Sequence, residues 1–268
     1  MTTDRRFGAI DRLFGVSGAK RIRNAHVAIV GIGGVGSWAA ESLARSGVGR
    51  LTLIDLDHVA ESNINRQIQA IEASLGQAKV LAMRDRIHSF FPQCKVECIE
   101  EFVRPANCAS LLPADIDALI DACDQVQVKA CMASWSLKAQ SIFITSGAAG
   151  GKRHAHLVSV EDLSQVTHDP LLSKVRNQLR KDFGAPRDGK KMGVACVLSR
   201  EQVTPPDASC GIVGDGSLNC HGYGSLVTVT ATFGLCSAGF VLNQLATNAI
   251  QSDAATFSDY PSSIGAST

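Results

Sequence analysis

Residues 31–37 read GIGGVGS, which spaces Gly31, Gly33 and Gly36 as a GxGxxG array with Gly34 inside it. A phosphate oxyanion is held by close-set backbone N–H groups at a helix start, and glycine lets the backbone approach because no side chain intervenes. Asp55 closes the later segment RLTLID, where an acidic side chain accepts from ribose hydroxyls. These features fit NAD, FAD or ATP. The next segment discriminates. DLDHVAESNINRQ sets Asp57, Asn63, Asn65, Arg66 and Gln67 in a polar loop beyond the second strand. A nicotinamide needs no arginine there, whereas a triphosphate does, because charge builds on its phosphates during adenylyl transfer. Lys79 opens the next helical segment and adds a cation at the same edge. Asp124 follows the fourth strand, placed to hold Mg²⁺ on the phosphates. The nucleotide site expected is Gly31, Gly33, Gly34, Gly36, Asp55, Asp57, Asn63, Arg66, Gln67 and Lys79. Arg66, Lys79 and Asp124 carry the chemistry, with Asp124 as metal ligand. The bland alternatives are a solvated Arg66 and Lys79, and an Asp124 that only caps a helix.

The elements that must position these residues alternate. HVAIVG (26–31) is a β-branched run ending in glycine, the pattern of a buried strand. Helical spacing follows over 35–46, with Gly47 as a stop. RLTLID (50–55) is a second strand, and 76–91 is helical up to Pro92. KVECIEEFV, IDALIDAC (116–123) and SIFITSG (141–147) supply three more strands, the last two separated by a helix. This order predicts an α/β fold with a doubly wound, mostly parallel, Rossmann-like sheet. The later half is less regular: two strands, AHLVSVEDL and MGVACVLS, flank the helical DPLLSKVRNQLRKDFG. The chain reads as one domain over 1–251, with small polar residues over 252–268 forming a flexible tail.

Apolar residues are 45% and aromatics only 5%, which suits a Val/Ile/Leu/Ala core between helices. The net charge of +1 makes no global trap for nucleic acid, and DNA is not expected as a partner. Nine cysteines are scattered without a CxxC pair, several inside apolar runs, which points to a reducing compartment and thus the cytoplasm. The N-terminus lacks the apolar centre of a signal peptide. The uncharged stretch from Gly222 to Ser252 poses one question. Over 225–245 it reads either as membrane attachment, peripheral or single-span, or as a buried helix. Its Thr, Ser, Gly, Asn243 and Gln244, and its lack of basic flanks, favour the buried helix.

GIGGVGS, LIDLD, SNINRQ, GQAK and the DACD segment ending in Asp124 occur together and in this order. In this the chain resembles the superfamily of ubiquitin-activating and sulfur-carrier-adenylating enzymes, across its nucleotide-binding half. The resemblance implies ATP as co-substrate, Asp55 on the ribose, Arg66 and Lys79 on the phosphates, and Mg²⁺ on Asp124. It implies a homodimer in which one subunit lends the other an N-terminal arginine, Arg12 here, with Arg6 as substitute. It also implies a monovalent cation, K⁺ or Na⁺, whose ligands the sequence does not place. A closer likeness runs over RFGAIDRLFG, VGIGGVGSWAAESLARSG, NRQIQA, DPLLSKVRNQLRKDFG, MGVACVLS and VTVTATFG. These segments are similar to the branch that dehydrates threonylcarbamoyladenosine beside the anticodon of tRNA. In that reaction ATP activates a carboxylate as an acyl-adenylate and the substrate's own carbamoyl group closes a ring, so no enzyme nucleophile is needed. The alternative is adenylation of the C-terminal Gly-Gly of a small sulfur-carrier protein, with a sulfur-transfer partner. The paired CxxC zinc ligands frequent in that branch are absent from the sequence. A third reading, an NAD-binding or non-enzymatic Rossmann module, leaves Arg66, Lys79 and Asp124 unexplained.

For an RNA substrate the sequence offers two basic clusters. Lys174, Arg176, Arg180, Lys181, Arg187, Lys190 and Lys191 lie in one short region, and Lys152, Arg153, His154 and His156 in another. Such residues attract a phosphate backbone without reading bases; the alternative is a solvated helix face. Cys210 and Cys220 are candidate nucleophiles or sulfur acceptors only if their thiols are exposed and acidic.

Overall fold

The computed structural model describes residues 5–207, 209 and 223–247. Cys210, Cys220, His221 and the tail over 252–268 lie outside the described residues. The chain opens on α1 (Gly8–Asn24), which kinks at Gly15, where φ is 70° and ψ 164°. The sequence gives little sign of this helix. Leu13 and Val16 on either side of the kink face solvent at 73% and 74% exposure, so no continuous apolar stripe marks it. β1 (His26–Val30) is buried at every position, as expected of a strand covered on both faces. It feeds the glycine turn and α2 (Gly36–Arg45), which ends just before Gly47 at φ +85°. β2 (Arg50–Ile54), α3 (Lys79–Phe90), β3 (Lys95–Ile99), the one-turn α4 (Cys108–Leu111), β4 (Ala118–Asp121), α5 (Val126–Ala139) and β5 (Ile142–Ser146) follow. The third strand is shorter than its sequence run. β3 pairs only with β2, and Ile99 lies opposite Ile54, the last residue of β2. Beyond that residue there is no ladder to join, so Glu100–Val103 turns away.

β6 (Val158–Asp162), α6 (Pro170–Asp182), β7 (Ala195–Ser199) and α7 (Val227–Thr247) complete the order. The sheet runs β3-β2-β1-β4-β5-β7-β6, parallel except for β6 against β7. The chain leaves the β3 edge and returns beside β1 as β4. This reversal is the switch point beyond which ligands bind in open α/β sheets. Each face of the sheet carries its own apolar layer. Ile22, Leu43, Met83 and Phe233 bury against one face, from α1, α2, α3 and α7. Met132, Leu172, Val175 and Leu179 bury against the other, from α5 and α6.

α7 is long and apolar enough to cross a membrane, with a mean hydropathy of 1.3, yet 56% of its apolar window is buried inside the protein. Gly234 lets it lie directly on α2, since a Cβ there would sit 2.8 Å from that of Trp38. Its Ser237 and Asn243 side chains donate to carbonyls one turn back, Phe233 O and Gly239 O. The Arg21 guanidinium donates to the Leu245 and Ala246 carbonyls, tying α1 to α7. α7 is the core helix that its polar residues favoured.

Candidate active site

β1, β2, β4 and β5 all deliver their C-terminal ends to one cleft of about 750 Å³. Gly31, Gly33 and Gly34 line one wall. Gly31 sits at φ +87°, and a Cβ on it would come within 2.9 Å of Ala122 O, so glycine is required both by conformation and by the close approach of the chain just beyond β4. Gly36 departs from expectation. It does not line the cleft, and a Cβ there would overlap Gly31 O. Its absent side chain lets α2 begin tight against the turn.

Asp55 accepts from the Ile32 N–H at 2.6 Å and from the Asp57 N–H at 2.8 Å. It thereby ties the glycine turn to the end of β2, while a carboxylate keeps further lone pairs for a ribose. Burial pushes its pKa above the ordinary aspartate value, against the opposing pull of Lys79 and the two N–H donors. The Lys79 side chain is only 9% exposed, and its ammonium meets Asp57 Oδ2 at 2.7 Å. The bland surface alternative for Lys79 is therefore wrong: this is a cation held at a cleft wall by a half-exposed partner.

The loop after β2 is braced from within. Asn63 Oδ1 accepts from the Ala60 N–H at 3.0 Å and Gln67 Oε1 from Gln69 Nε2 at 3.2 Å. Both residues line the cleft, with their carboxamide oxygens already engaged. Arg66 also lines it, its guanidinium resting on Ser62 O at 2.6 Å and Asn65 Oδ1 at 2.9 Å. Three braces escaped sequence reasoning. Trp38 Nε1 donates to Arg66 O, Gln69 Nε2 to Ile32 O, and Asn65 Nδ2 to Ser225 O just before α7. Gln69 stands in the NRQIQA segment, so its position was visible but its partner was not.

Asp124 is exposed and lines the same cleft. It does not cap α5; Gln125 occupies that place. It has no hydrogen bond or ion pair among the described residues. A hard, unengaged carboxylate lining the same cleft as the glycine turn fits Mg²⁺, which takes one or two carboxylates and fills its octahedron with phosphate oxygens and water. No cluster of three His, Cys, Asp or Glu side chains forms a metal cage among the described residues, so phosphates would complete such a site. Beyond β5, Ser146, Gly147 and Gly150 extend the cleft toward Tyr223. The thiol in the lining is Cys123. Burial pushes its pKa well above the ordinary cysteine value, and the Asp121 carboxylate adds to the rise.

Other expected residues are placed elsewhere. Arg12 stands exposed on α1 and is not in the cleft lining of its own chain. The large basic cluster divides: Lys174, Lys181, Arg187, Lys190 and Lys191 are exposed, whereas two members are spent on backbone carbonyls. Arg176 donates to Val166 O at 2.7 Å, and Arg180 to Pro186 O at 3.2 Å; both fasten α6 to its flanking loops. Arg187, Lys190 and Lys191 precede β7, which runs parallel to β5, so they lie at the sheet edge opposite the cleft. In the smaller cluster Lys152 is 2% exposed and donates to Ser199 O at 2.6 Å. Arg153, His154 and His156 remain exposed there, on the cleft side of the sheet.

A glycine turn at a switch point, with Asp55, Arg66, Lys79 and Asp124 lining the same cleft, is the arrangement of a nucleotide-binding α/β fold. The chain belongs to the ThiF family, whose pattern matches residues 8–258. It is 38% identical to the tRNA threonylcarbamoyladenosine dehydratase of Haemophilus influenzae, over 90% of this chain and 94% of that one. It is 39% identical to the enzyme of that name from Escherichia coli K12, over 90% and 93%. The crystal structure of the E. coli enzyme in complex with ATP superposes with a TM-score of 0.84 at 37% identity, covering 94% of this chain and 99% of that one. Similarity to the adenylyltransferase and sulfurtransferase MOCS3 of Drosophila willistoni, 39% identical, is confined to 43% of this chain and 25% of that protein.

Proposed function

We propose that this protein is an ATP-dependent dehydratase that cyclises threonylcarbamoyladenosine in tRNA, in the cytoplasm. The observation that carries the reading is the end-to-end correspondence with an ATP-bound enzyme of that activity, on a chain whose cleft holds the cradle, both cations and Asp124. The substrate carboxylate attacks the α-phosphorus of ATP, pyrophosphate leaves, and an acyl-adenylate forms. The carbamoyl group of the same nucleoside then attacks the activated carbonyl and AMP departs, carrying the oxygen that the substrate loses as water. In this scheme the N–H groups of the Gly31–Gly34 turn cradle the phosphates and Asp55 accepts from the ribose. Lys79 exchanges Asp57 for a phosphate oxygen, and Arg66 leaves its loop carbonyl to oppose the charge that builds at phosphorus. Asp124 would hold Mg²⁺, which would supply further neutralisation of charge on the phosphates. Arg12 acts across a homodimer, from the partner subunit.

Sulfur-carrier adenylation is the weaker reading, because that likeness stops at the nucleotide-binding half. Incubating the protein with ATP, Mg²⁺ and tRNA bearing threonylcarbamoyladenosine, then weighing the nucleosides, tests the proposal. A nucleoside lighter by one water, with AMP released, is expected. Unchanged nucleoside mass with intact ATP binding would overturn the dehydratase and turn attention to carrier proteins with Gly-Gly tails.

A further inference from the structure

Beneath the cleft lies a second charged assembly to which the proposed chemistry gives no role. Asp121 ends β4 and Lys129 lies four residues into α5; both are 0% exposed, and Thr145 of β5 is 1% exposed. Asp121 Oδ2 accepts from the Thr145 hydroxyl at 2.6 Å and from the Lys129 ammonium at 3.2 Å, and Lys129 also donates to Thr145 Oγ1 at 3.0 Å. Asp121 Oδ1 accepts from the Cys123 N–H at 3.1 Å. Three elements, β4, α5 and β5, therefore meet at one carboxylate. Burial disfavours the Lys129 ammonium, but Asp121 and its neighbours outweigh that and hold its pKa above the ordinary lysine value.

Apolar residues of similar volume commonly stabilise as well as a buried ion pair, so the informative feature of the assembly is its placement. Cys123, Asp124, Ser146 and Gly147 follow directly on the tied residues and line the cleft. The bond from Cys123 N–H to Asp121 closes a side-chain-to-backbone turn that bends the chain out of β4, with Asp124 as the next residue. Lys129 fastens the start of α5 on the far side of the same bend. The segment Ala122–Asp124 is clamped at both ends, whereas nothing among the described residues holds the Asp124 carboxylate itself.

We propose that Lys129, acting with Asp121 and Thr145, is a positioning residue for the reaction. It holds Asp124 facing the glycine cradle, where its carboxylate can share a divalent cation with bound phosphates. The inference rests on the assignment of Asp124 made above. The test is binding, not turnover: ATP affinity measured by calorimetry in Mg²⁺ and in EDTA, the ratio being the Mg²⁺ enhancement. Lys129→Met alone strands a buried carboxylate, so the informative protein is the charge-free pair Asp121→Asn/Lys129→Met, with its melting followed in parallel. Groups behind a metal ligand are worth about 10–100-fold in metal affinity, and a loss of Mg²⁺ enhancement in that range is expected with ATP affinity in EDTA retained. Adding Asp124→Asn to the pair should then change little, since a misplaced carboxylate has nothing left to lose. Thr145→Val, which removes only the bridging hydroxyl, should lower the enhancement by about threefold, on the scale of one hydrogen bond; it provides the test if the paired variant does not fold. An unaltered enhancement in these folded variants, or the same cost of Asp124→Asn in wild-type and paired backgrounds, would overturn the positioning role. If Asp124→Asn leaves the enhancement of the otherwise wild-type protein unchanged, the metal assignment itself is wrong and the proposal falls with it.

Discussion

Replacing Lys79 by Met separates chemistry from folding at this cleft. Met keeps an unbranched stem of similar reach and discards the ammonium, which meets Asp57 at 2.7 Å. The Asp57 side chain is 55% exposed, so water can take over its solvation. Losing such a pair costs about 1 kcal/mol or less, a shift in melting temperature of about 2–4 °C for a chain of this size. The nucleotide is affected far more. A charge-assisted bond to phosphate contributes about 1.5–3 kcal/mol, so ATP affinity should fall by about 10–100-fold. Donors aimed at charge that develops in the transition state contribute about 10²–10³ in rate, and kcat/KM for AMP formation should fall at least that far. Calorimetry gives the affinity, and AMP release with modified tRNA as substrate gives the rate. Asp57→Asn is the control: it leaves the ammonium in place and should cost less than Lys79→Met. A Lys79→Met enzyme within about fivefold of wild-type kcat/KM, a difference of about 1 kcal/mol, would show that Lys79 only braces the wall. An Asp57→Asn enzyme as poor as Lys79→Met would show the same.

Three further outcomes follow from the geometry. Burial raises the pKa of Asp55, so its carboxylate protonates at a higher pH than an ordinary aspartate and stops accepting from the ribose. ATP affinity should therefore fall on acidification while the pH is still above the ordinary aspartate range, and Asp55→Asn, titrated by calorimetry alongside, should lack that component. His26 is 4% exposed, and burial, with Arg50 nearby, lowers its pKa despite Asp115. Its contribution to stability is present above the unfolded value near 6.5 and is lost as pH falls through the depressed folded value; urea midpoints should drop on acidification through that window, less steeply in His26→Gln. Arg176→Gln should cost about 1–2 kcal/mol of stability through the Leu163 and Val166 carbonyls it caps. Its tRNA affinity at low salt should stay within about twofold of wild type, because a guanidinium spent on carbonyls contributes little to the phosphate term.

Much of this protein was legible from contiguous residues. HVAIVG, the glycine array and the helix after it form one local unit, because a strand, a tight turn and a helix start each depend on near neighbours. Asp55 and Asp124 were legible because each ends or follows an apolar run, and in a parallel sheet the run's end is the ligand edge. The polar residues inside 225–247 sufficed to favour a buried helix. What only tertiary structure decided is who stands opposite whom. Lys79 finds Asp57 across 22 positions, and Gln69 reaches Ile32 across 37; neither pairing leaves a periodic trace. Lys152 read as part of an exposed basic cluster, yet it ends buried against Ser199 O. Arg176 and Arg180 read as a phosphate-binding face, yet they close loops. Gly36 read as part of the glycine array, and the fold shows that its missing Cβ makes room for Gly31 O. A charged or glycine residue announces its chemistry in the sequence, but whether that chemistry is spent on the fold or kept for a ligand depends on the burial and partners that distant segments supply.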